Sequence, residues 1–328
     1  MNFGIILGQT FTDSGQASFD QLRERVQVAE ELGFDLVCLG DRHLWPSGFH
    51  EMLTTLAALA PVTRRIQLCS SGFILPIYNP ILLAEQAAHV DVISGGRLIF
   101  GLVLGYREEE LAISEVLLRQ RRGRFLENLE VISRLWAGES VTFQGKYFRC
   151  RDVRIGPLPV RKPRPPIWIG GTADVVVRRS ARLADGWLPS ASLGRRELRE
   201  KIRVYRNALD EFRKQGTLVV ARLGFVAKTR ARARALVEKP LLEQYRRYSG
   251  WMKDTPEGRR YKYGQLDDFR DRLILGTPGE CIDQVAAYRD MGADTLVYHC
   301  QHQGISQRDM LESMELFATR VMPAFSSG

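Results

Sequence analysis

The chain has 328 residues, 45% hydrophobic and 26% charged, which is the balance of an ordinary globular protein. No stretch has the eighteen or so uninterrupted apolar residues of a membrane span, which excludes a membrane protein. Residues 1–8 lack the basic region and cleavage site of a signal peptide, so we expect a cytoplasmic protein. The five cysteines form no C-x-x-C pair, which argues against a disulfide framework or a zinc site: Cys38, Cys69, Cys150, Cys281 and Cys300.

The net charge of +9 raises the possibility of nucleic-acid binding, but the arginines are scattered along the chain. They form no single basic stripe, and most are expected on solvated helix faces. We therefore expect no nucleic-acid partner. A basic rim around a pocket would still favour an anionic cofactor or substrate.

Strand-like and helix-like segments alternate, which predicts parallel strands joined by crossover helices. The predicted strands are 3–7, 35–39, 66–73, 97–103, 166–169, 186–189, 219–227 and 295–299. The predicted helices are 19–32, 51–60, 80–93, 124–136, 173–184, 195–215, 230–248, 280–291 and 306–322. Eight strands with their helices predict an α/β fold, a (β/α)₈ TIM barrel with insertions, as one domain over residues 1–328.

The main rival is an open doubly wound sheet. That fold would place a G-x-G-x-x-G turn after the first strand, but Gly8 is followed by Gln9, Thr10 and Phe11. Two segments interrupt the alternation. Residues 141–148 predict a hairpin around a glycine turn. Residues 250–271 form a long polar segment that we interpret as a lid over the catalytic face.

The chemistry of such barrels lies just beyond the C-terminal ends of the strands. Asp41, Arg42 and His43 follow the second strand and suit proton transfer or hydrogen bonding to a polar ring, unless they form a surface ion-pair cluster. Gly105 and Tyr106 follow the fourth strand. Ser70 and Ser71, near the end of the third, are either site residues or small side chains that fill the barrel mouth.

The fifth strand ends in Gly170, Gly171 and Thr172, directly before a helix. Two unhindered backbone amides and a hydroxyl at a helix start favour phosphate, although the same residues also make a plain turn. His299 and His302 are spaced like a metal pair, but a barrel metal site would need further His and carboxylate ligands on the other strand ends, and the first strand ends in Gln9 and Thr10, so we expect no metal.

In these residues the chain resembles the bacterial-luciferase-like family of flavin and deazaflavin oxidoreductases, and the resemblance runs over nearly the whole length. The blocks that carry it are 29–35, 40–43, 56–68, 79–86, 91–97, 101–105, 166–172, 184–187 and 276–280. Each block is short, and their order and spacing together make the resemblance specific.

The resemblance implies a cofactor ring over the strand ends, and a homodimer. It implies a backbone bulge with a non-proline cis peptide at Ser71-Gly72, and a cofactor phosphate near residues 170–172. It also implies an acidic side chain at Asp41. The histidine that often follows this acidic residue in the family aligns with Arg42, so that role is either lost or taken by His43.

The leading functional hypothesis is a monooxygenase that receives reduced FMN from a separate reductase and inserts one oxygen atom of O₂ into an organic substrate. The first alternative uses the deazaflavin coenzyme F420 for hydride transfer as a reductase or dehydrogenase. The second is a non-catalytic flavin-binding barrel. The expected catalytic residues are Asp41, Arg42 and His43. The expected cofactor residues are Ser70, Ser71, Gly72, Gly105, Gly170, Gly171 and Thr172, and the expected substrate-pocket residues are Phe73, Tyr106, Trp187 and His299.

Overall fold

The computed structural model describes residues 1–7, 18–44, 49–252, 256–262 and 264–326. The strands are β1 (Asn2–Ile6), β2 (Leu36–Leu39), β3 (Gln67–Ile74), β4 (Leu98–Val103), β5 (Val141–Gln144), β6 (Arg149–Val153), β7 (Ile167–Gly170), β8 (Gly186–Leu188), β9 (Thr217–Val226), β10 (Ile274–Gly276) and β11 (Thr295–His299). The α-helices are α1 (Phe19–Glu31), α2 (Met52–Leu59), α3 (Pro80–Ile93), α4 (Glu108–Ala112), α5 (Arg121–Trp136), α6 (Asp174–Leu183), α7 (Arg195–Phe212), α8 (Arg230–Trp251), α9 (Pro256–Arg259), α10 (Pro278–Arg289) and α11 (Gln307–Leu316). A π-helical turn over Phe317–Val321 continues α11.

Eight parallel strands close into a barrel. Their order is β1, β2, β3, β4, β7, β8, β9 and β11, and β11 pairs back onto β1. The predicted (β/α)₈ barrel is therefore confirmed, with strand ends displaced by one or two residues. Gln9 and Thr10, which follow β1, lie outside the described residues.

The hydrophobic core has two layers, because each barrel strand turns alternate side chains inward and outward. The barrel interior is filled by Leu36, Cys38, Cys69, Ile99, Trp168, Val219, Ala221 and Val297. A larger core lies between the outer faces of the strands and the helices. Cys38 and Cys69 face each other in the β2–β3 register, and both are buried. Because side chains fill the barrel interior, a ligand would bind at the rim of the barrel rather than inside it.

Several helices begin where the sequence supplies a side-chain cap. Asn79 accepts the backbone N–H groups of Ile81 and Leu82 ahead of Pro80, the first residue of α3. At the start of α10, Thr277 and Glu280 form a reciprocal capping box. None of the helices in the described ranges is both long enough and apolar enough to cross a lipid bilayer.

The two segments that interrupt the alternation of strands and helices, 141–148 and 250–271, have different structures. The predicted hairpin is confirmed: β5 and β6 pair antiparallel, in a separate two-stranded sheet. The predicted lid, 250–271, is only partly described. Its described parts include the end of α8, α9 and most of a 3₁₀ helix over Leu266–Arg272. The short strand β10, absent from the sequence prediction, then pairs with the end of β9 outside the barrel.

Candidate functional site

A hydrogen-bonded cluster of His43, Asp41 and Tyr78 lies at the end of β2. His43 Nε2 is 3.1 Å from Asp41 Oδ1 and 3.0 Å from the Tyr78 hydroxyl. Asp41 Oδ2 accepts the backbone N–H of Ile74 at 2.9 Å, which ties the carboxylate to β3. The hydrogen bond to Asp41 raises the pKa of His43, although partial burial opposes the shift. The His43 side chain is 26% exposed and that of Asp41 is 4% exposed, so the imidazole can meet a ligand.

The backbone of His43 is held by a buried ion pair that the sequence analysis did not identify. Glu110 Oε1 accepts the His43 N–H at 3.1 Å, and Arg107 Nη1 donates to the His43 carbonyl at 3.1 Å. Arg107 Nη1 and Glu110 Oε1 are 3.2 Å apart. The short helix α4, which was also not predicted, brings Glu110 to this position. The pair fixes the loop that carries His43.

Arg42 lies between two tyrosines. Its Nη1 donates to the Tyr106 hydroxyl at 2.8 Å, and its Nη2 donates to the Tyr248 hydroxyl at 3.2 Å. The guanidinium is 5.4 and 5.5 Å from the centres of these two rings. The ring centre of Trp251, the last residue of α8, lies 4.7 Å from the Arg107 guanidinium carbon. Arg42 therefore links the end of α8 to the strand ends, a contact that sequence spacing could not reveal.

The expected bulge is present in β3. The β3–β4 register shifts between Ser70 and Phe73, and the Ser71–Gly72 peptide is cis. Ser70 Oγ accepts the Gly101 N–H at 2.9 Å and donates to the Gly101 carbonyl at 3.1 Å. After β4, Gly105 has a φ of +73°, and Arg121 Nη1 donates to its carbonyl at 2.6 Å. The two hydrogen bonds of Ser70 Oγ to Gly101 therefore hold the β3 bulge against β4.

The Gly170-Gly171-Thr172 turn differs in detail from the sequence-based expectation. The Gly171 N–H donates to the Leu188 carbonyl at 3.2 Å, so it is already used between strands. Within the described residues, the backbone N–H groups of residues 172–175 make no hydrogen bond, and α6 has no side-chain cap at Ala173. The amides open to a ligand are therefore those that start α6.

Two residues expected to line a substrate pocket, Phe73 and Trp187, have no exposed surface. Phe73 and Trp187 are fully buried in the outer core, between the strands and the helices. Phe73 packs on Tyr78 with ring centres 4.3 Å apart, and Trp187 Nε1 donates to the Gly171 carbonyl at 2.8 Å. Strand alternation turns both side chains outward, into the core between the strands and the helices.

His299 and His302 stack at the end of β11, with ring centres 5.4 Å apart. His302 Nε2 lies 3.0 Å from the Gly224 carbonyl and therefore carries the proton. Within the described residues, His299 Nε2 and His302 Nδ1 are buried without a hydrogen-bond partner. Burial lowers the pKa of His302 to about 4, and burial together with His302 lowers that of His299 to about 3. Both imidazoles are therefore neutral acceptors at physiological pH.

The lowered pKa values of His299 and His302 predict that acid destabilises the folded protein. Unfolded histidine titrates near pH 6.5, so between about pH 4 and 6.5 the unfolded chain binds more protons than the folded one. Stability should therefore be complete above pH 6.5 and fall as the pH drops through this window. Urea unfolding between pH 4.5 and 7.5 measures the slope, which should flatten in a H299Q/H302Q double variant. The exposed His89→Gln should keep the wild-type slope, and equal slopes in all three proteins would contradict the prediction.

The strand ends fit a flat ring that carries an anionic tail. An added Cβ at Gly72 or Gly170 would lie 2.4 or 2.9 Å from Val103 Cγ1, so no side chain fits at either position. The Val103 side chain therefore takes the space that a Cβ would need at both glycines, and it packs directly on the backbone at the ends of β3 and β7. The free amides at the start of α6 provide a place for phosphate. The residues present fit a flavin-type cofactor.

Comparisons with known proteins agree with this geometry. The family model described as "Luciferase-like monooxygenase" matches residues 1–295. The oxygenase component of the flavin-dependent trigonelline monooxygenase of Acinetobacter baylyi is 24% identical, over 94% of this chain and 90% of that protein. The F420-dependent glucose-6-phosphate dehydrogenase of Microbacterium testaceum is 28% identical, over 83% of this chain and 84% of that protein.

Among solved structures, the monooxygenase RslO1 of Streptomyces bottropensis superposes with a TM-score of 0.84. It shares 24% identity, and the match covers 99% of this chain and 100% of that chain, which shows a common fold. The family match spans nine-tenths of the sequence and includes the ends of β2, β3, β4 and β7 described above. The chain therefore belongs to the luciferase-like monooxygenase family.

Proposed function

We propose that this protein is a monooxygenase that uses reduced FMN and O₂ to insert one oxygen atom into a small organic substrate. The observation that carries the proposal is the hydrogen-bonded cluster of His43, Asp41 and Tyr78 at the end of β2. When bound, reduced FMN would supply the electrons that activate oxygen. The family match and the trigonelline monooxygenase relative support this choice.

In this proposal the residues at the end of β2 handle protons. His43 exchanges a proton with oxygen atoms at the barrel mouth through Nδ1, because Asp41 Oδ1 and the Tyr78 hydroxyl engage Nε2 and keep the imidazole oriented. Tyr78 keeps its proton, because burial and the nearby Asp41 carboxylate raise its pKa, and it acts as a hydrogen-bond donor. Arg42 contributes charge and anchors Tyr248 rather than transferring protons.

The ring would lie on the backbone of residues 70–72, 105 and 170–172, with its phosphate at the start of α6. Tyr106 and His299 would contact the substrate, and Phe73 and Trp187 would support that wall from the outer core. The 250–271 segment would cover the site. Two contacts support this role because they bring the end of α8, where this segment begins, to the strand ends. They are the Trp251 ring against the Arg107 guanidinium and the Tyr248 ring against the Arg42 guanidinium. A covered site would keep bulk water away from the reacting atoms.

We further propose a separate reductase partner, a homodimer and a cytoplasmic location. A separate reductase would deliver reduced flavin, in keeping with the name "oxygenase component" of the trigonelline relative. A homodimer would cover the apolar side chains that α3 exposes, Leu82 and Ile93 at 57% and 52% exposure. All five cysteines are free thiols, which suits the reducing cytoplasm.

A second candidate function keeps the site and uses coenzyme F420 for hydride transfer. The F420-dependent relative of Microbacterium testaceum favours it, as does the excess of basic residues, which suits a polyanionic tail. In that case His43 would donate or accept a proton next to the hydride acceptor, without oxygen chemistry.

Cofactor binding separates these functions. Purified protein is titrated with FMN, anaerobically reduced FMN and F420, and binding is followed by fluorescence. A substrate panel is then run with a flavin reductase, NADH and oxygen, with product and hydrogen peroxide quantified together. We expect reduced FMN to bind and product to form at the expense of peroxide. Tight F420 binding without FMN binding would overturn the proposal, and flavin binding without any turnover would favour the non-catalytic barrel.

A further inference from the structure

The last turn of α8 carries two aromatic side chains that contact the rim of the barrel. Tyr248 and Trp251 are three residues apart, which places them on one face of the helix. Their ring centres are 5.8 Å apart in an edge-to-face arrangement. The Arg42 guanidinium lies 5.5 Å from the Tyr248 ring, and the Arg107 guanidinium lies 4.7 Å from the Trp251 ring. The end of α8 is therefore docked on two cations.

Both of these arginines belong to the structure that holds His43. Arg42 is its neighbour in the chain. Arg107 Nη1 donates to the His43 carbonyl at 3.1 Å and lies 3.2 Å from Glu110 Oε1. Glu110 Oε1 in turn accepts the His43 N–H at 3.1 Å. One ion pair therefore holds both polar groups of the His43 backbone, and the Trp251 ring packs on the cation of that pair.

The Trp251 ring helps to keep this ion pair away from water. Arg107 is 8% exposed and Glu110 is 1% exposed. The attraction between two opposite charges is strong where water is excluded and weak where water screens it. Without the indole ring, one face of the Arg107 guanidinium would lose its cover, and its attraction to Glu110 would weaken. The loop that carries His43 would then be held less firmly.

Aromatic contacts also join α8 to the described part of the 250–271 segment. Tyr261 packs on Tyr248 and on Tyr245, with ring centres 5.3 and 5.4 Å apart. Tyr245 also packs on Phe269, with ring centres 4.1 Å apart. A continuous series of ring contacts therefore runs from this segment to the last turn of α8.

We infer that Tyr248 and Trp251 are positioning residues for His43. They act through Arg42 and Arg107, so that His43 keeps its place only while the end of α8 is docked on the rim. For its effect on turnover, the inference rests on the proposed function. It goes beyond that function because it makes proton transfer depend on the segment that follows α8. Docking of this segment would cover the site and position the proton-transferring side chain together.

The first test uses the unloaded protein and follows the His43 backbone N–H. The chain has five histidines, so labelling with [15N]histidine gives few amide signals to assign. W251L removes the aromatic ring and keeps an apolar side chain. We expect it to speed hydrogen exchange at the His43 N–H by about 10-fold, as for loss of a cation–π contact. W251F keeps a ring and should restore most of the protection, whereas Y248L should act in the same direction as W251L.

The His43 ring provides a second readout. The hydrogen bond to Asp41 is the main cause of its raised pKa, so release of the loop should lower the pKa of His43 toward its ordinary value of about 6.5. NMR titration of the labelled ring measures this shift. The variants keep every titratable or charged group that the described structure places around His43: Asp41, Glu51, Tyr78, Arg107 and Glu110.

F212L is the matched control. Phe212 ends α7, and its ring lies 5.9 Å from the Arg178 guanidinium, at the end of the barrel opposite the rim. It should leave both the exchange rate and the pKa of His43 unchanged. Unchanged values in W251L would overturn the inference. Faster exchange at all five histidines would also overturn it, because that result would assign Trp251 a general role in stability.

Turnover separates this inference from the proposed function. With reduced FMN and a substrate, W251L should lower kcat more than it raises KM, because the histidine is misplaced while the binding surface remains. If the wild type shows no flavin-dependent oxygenation, the proposed function fails. The exchange rate and the pKa of His43 still decide whether Tyr248 and Trp251 position it.

Discussion

D41N should lower the pKa of His43 and reduce oxygenation by about 100-fold, the lower end of what a positioned acid or base contributes. Asp41 Oδ1 lies 3.1 Å from His43 Nε2, and its hydrogen bond is the main cause of the raised histidine pKa. Asparagine keeps the shape and can still accept the Ile74 N–H, but it carries no charge. The pH–rate profile should therefore move to lower pH, because His43 loses its proton sooner.

Two measurements make this prediction specific. NMR titration of the His43 ring in unloaded protein reports its pKa without any turnover, and the rate with reduced FMN reports the function. D294N is the matched control, because Asp294 Oδ2 also accepts a backbone N–H, that of Leu218 at 2.7 Å, at the opposite end of the barrel. An unchanged His43 pKa in D41N would contradict the assigned role of Asp41.

G101A should destabilise the protein by about 3 kcal/mol or more and abolish flavin binding. A Cβ at position 101 would lie 2.0 Å from the Ser70 carbonyl oxygen, so the β3 bulge would have to move. That carbonyl is backbone, and Ser70 Oγ holds both polar groups of Gly101, which leaves little freedom to adjust. G101A is therefore expected to lower the free energy of unfolding and to displace the β3 bulge, where the cofactor ring is proposed to lie.

Urea unfolding and flavin fluorescence measure the two effects. G279A is the control: Gly279 lies in the first turn of α10, and an added Cβ there meets nothing within 4 Å. It should be neutral or slightly stabilising, because alanine favours a helix. The prediction fails if G101A unfolds at the same urea concentration as G279A.

The fold could be predicted because its signals are local. Each barrel strand is a short apolar run, and helix starts such as Asn79-Pro80 carry their own caps. The hairpin around Gly145 followed from turn chemistry in the same way. The strand β10 was missed because three residues carry too little pattern, and it forms only by pairing with the end of β9.

The candidate site could be proposed from the sequence only where it follows a strand end. Asp41 and His43 were proposed by position, whereas Tyr78, Glu110 and Tyr248 contact residues 41–43 from other elements. Tyr248 is 206 residues from Arg42, and no local spacing encodes such a contact. Phe73 and Trp187 were placed near the correct rim but on the other face of their strands, because the final residues of a strand do not reveal which way each side chain points.

The pairing of β10 with β9 has a consequence for how this enzyme family can diversify. The chain leaves the barrel wall after Val226 and returns to the neighbouring Ile274–Gly276 strand, so the intervening excursion is closed at its base by backbone hydrogen bonds. Lengthening a loop closed in this way adds only a modest entropic cost. An insertion into this excursion would therefore cost little closure entropy, whereas replacing the whole of it would also remove Tyr248 from Arg42 and Trp251 from Arg107 at the rim.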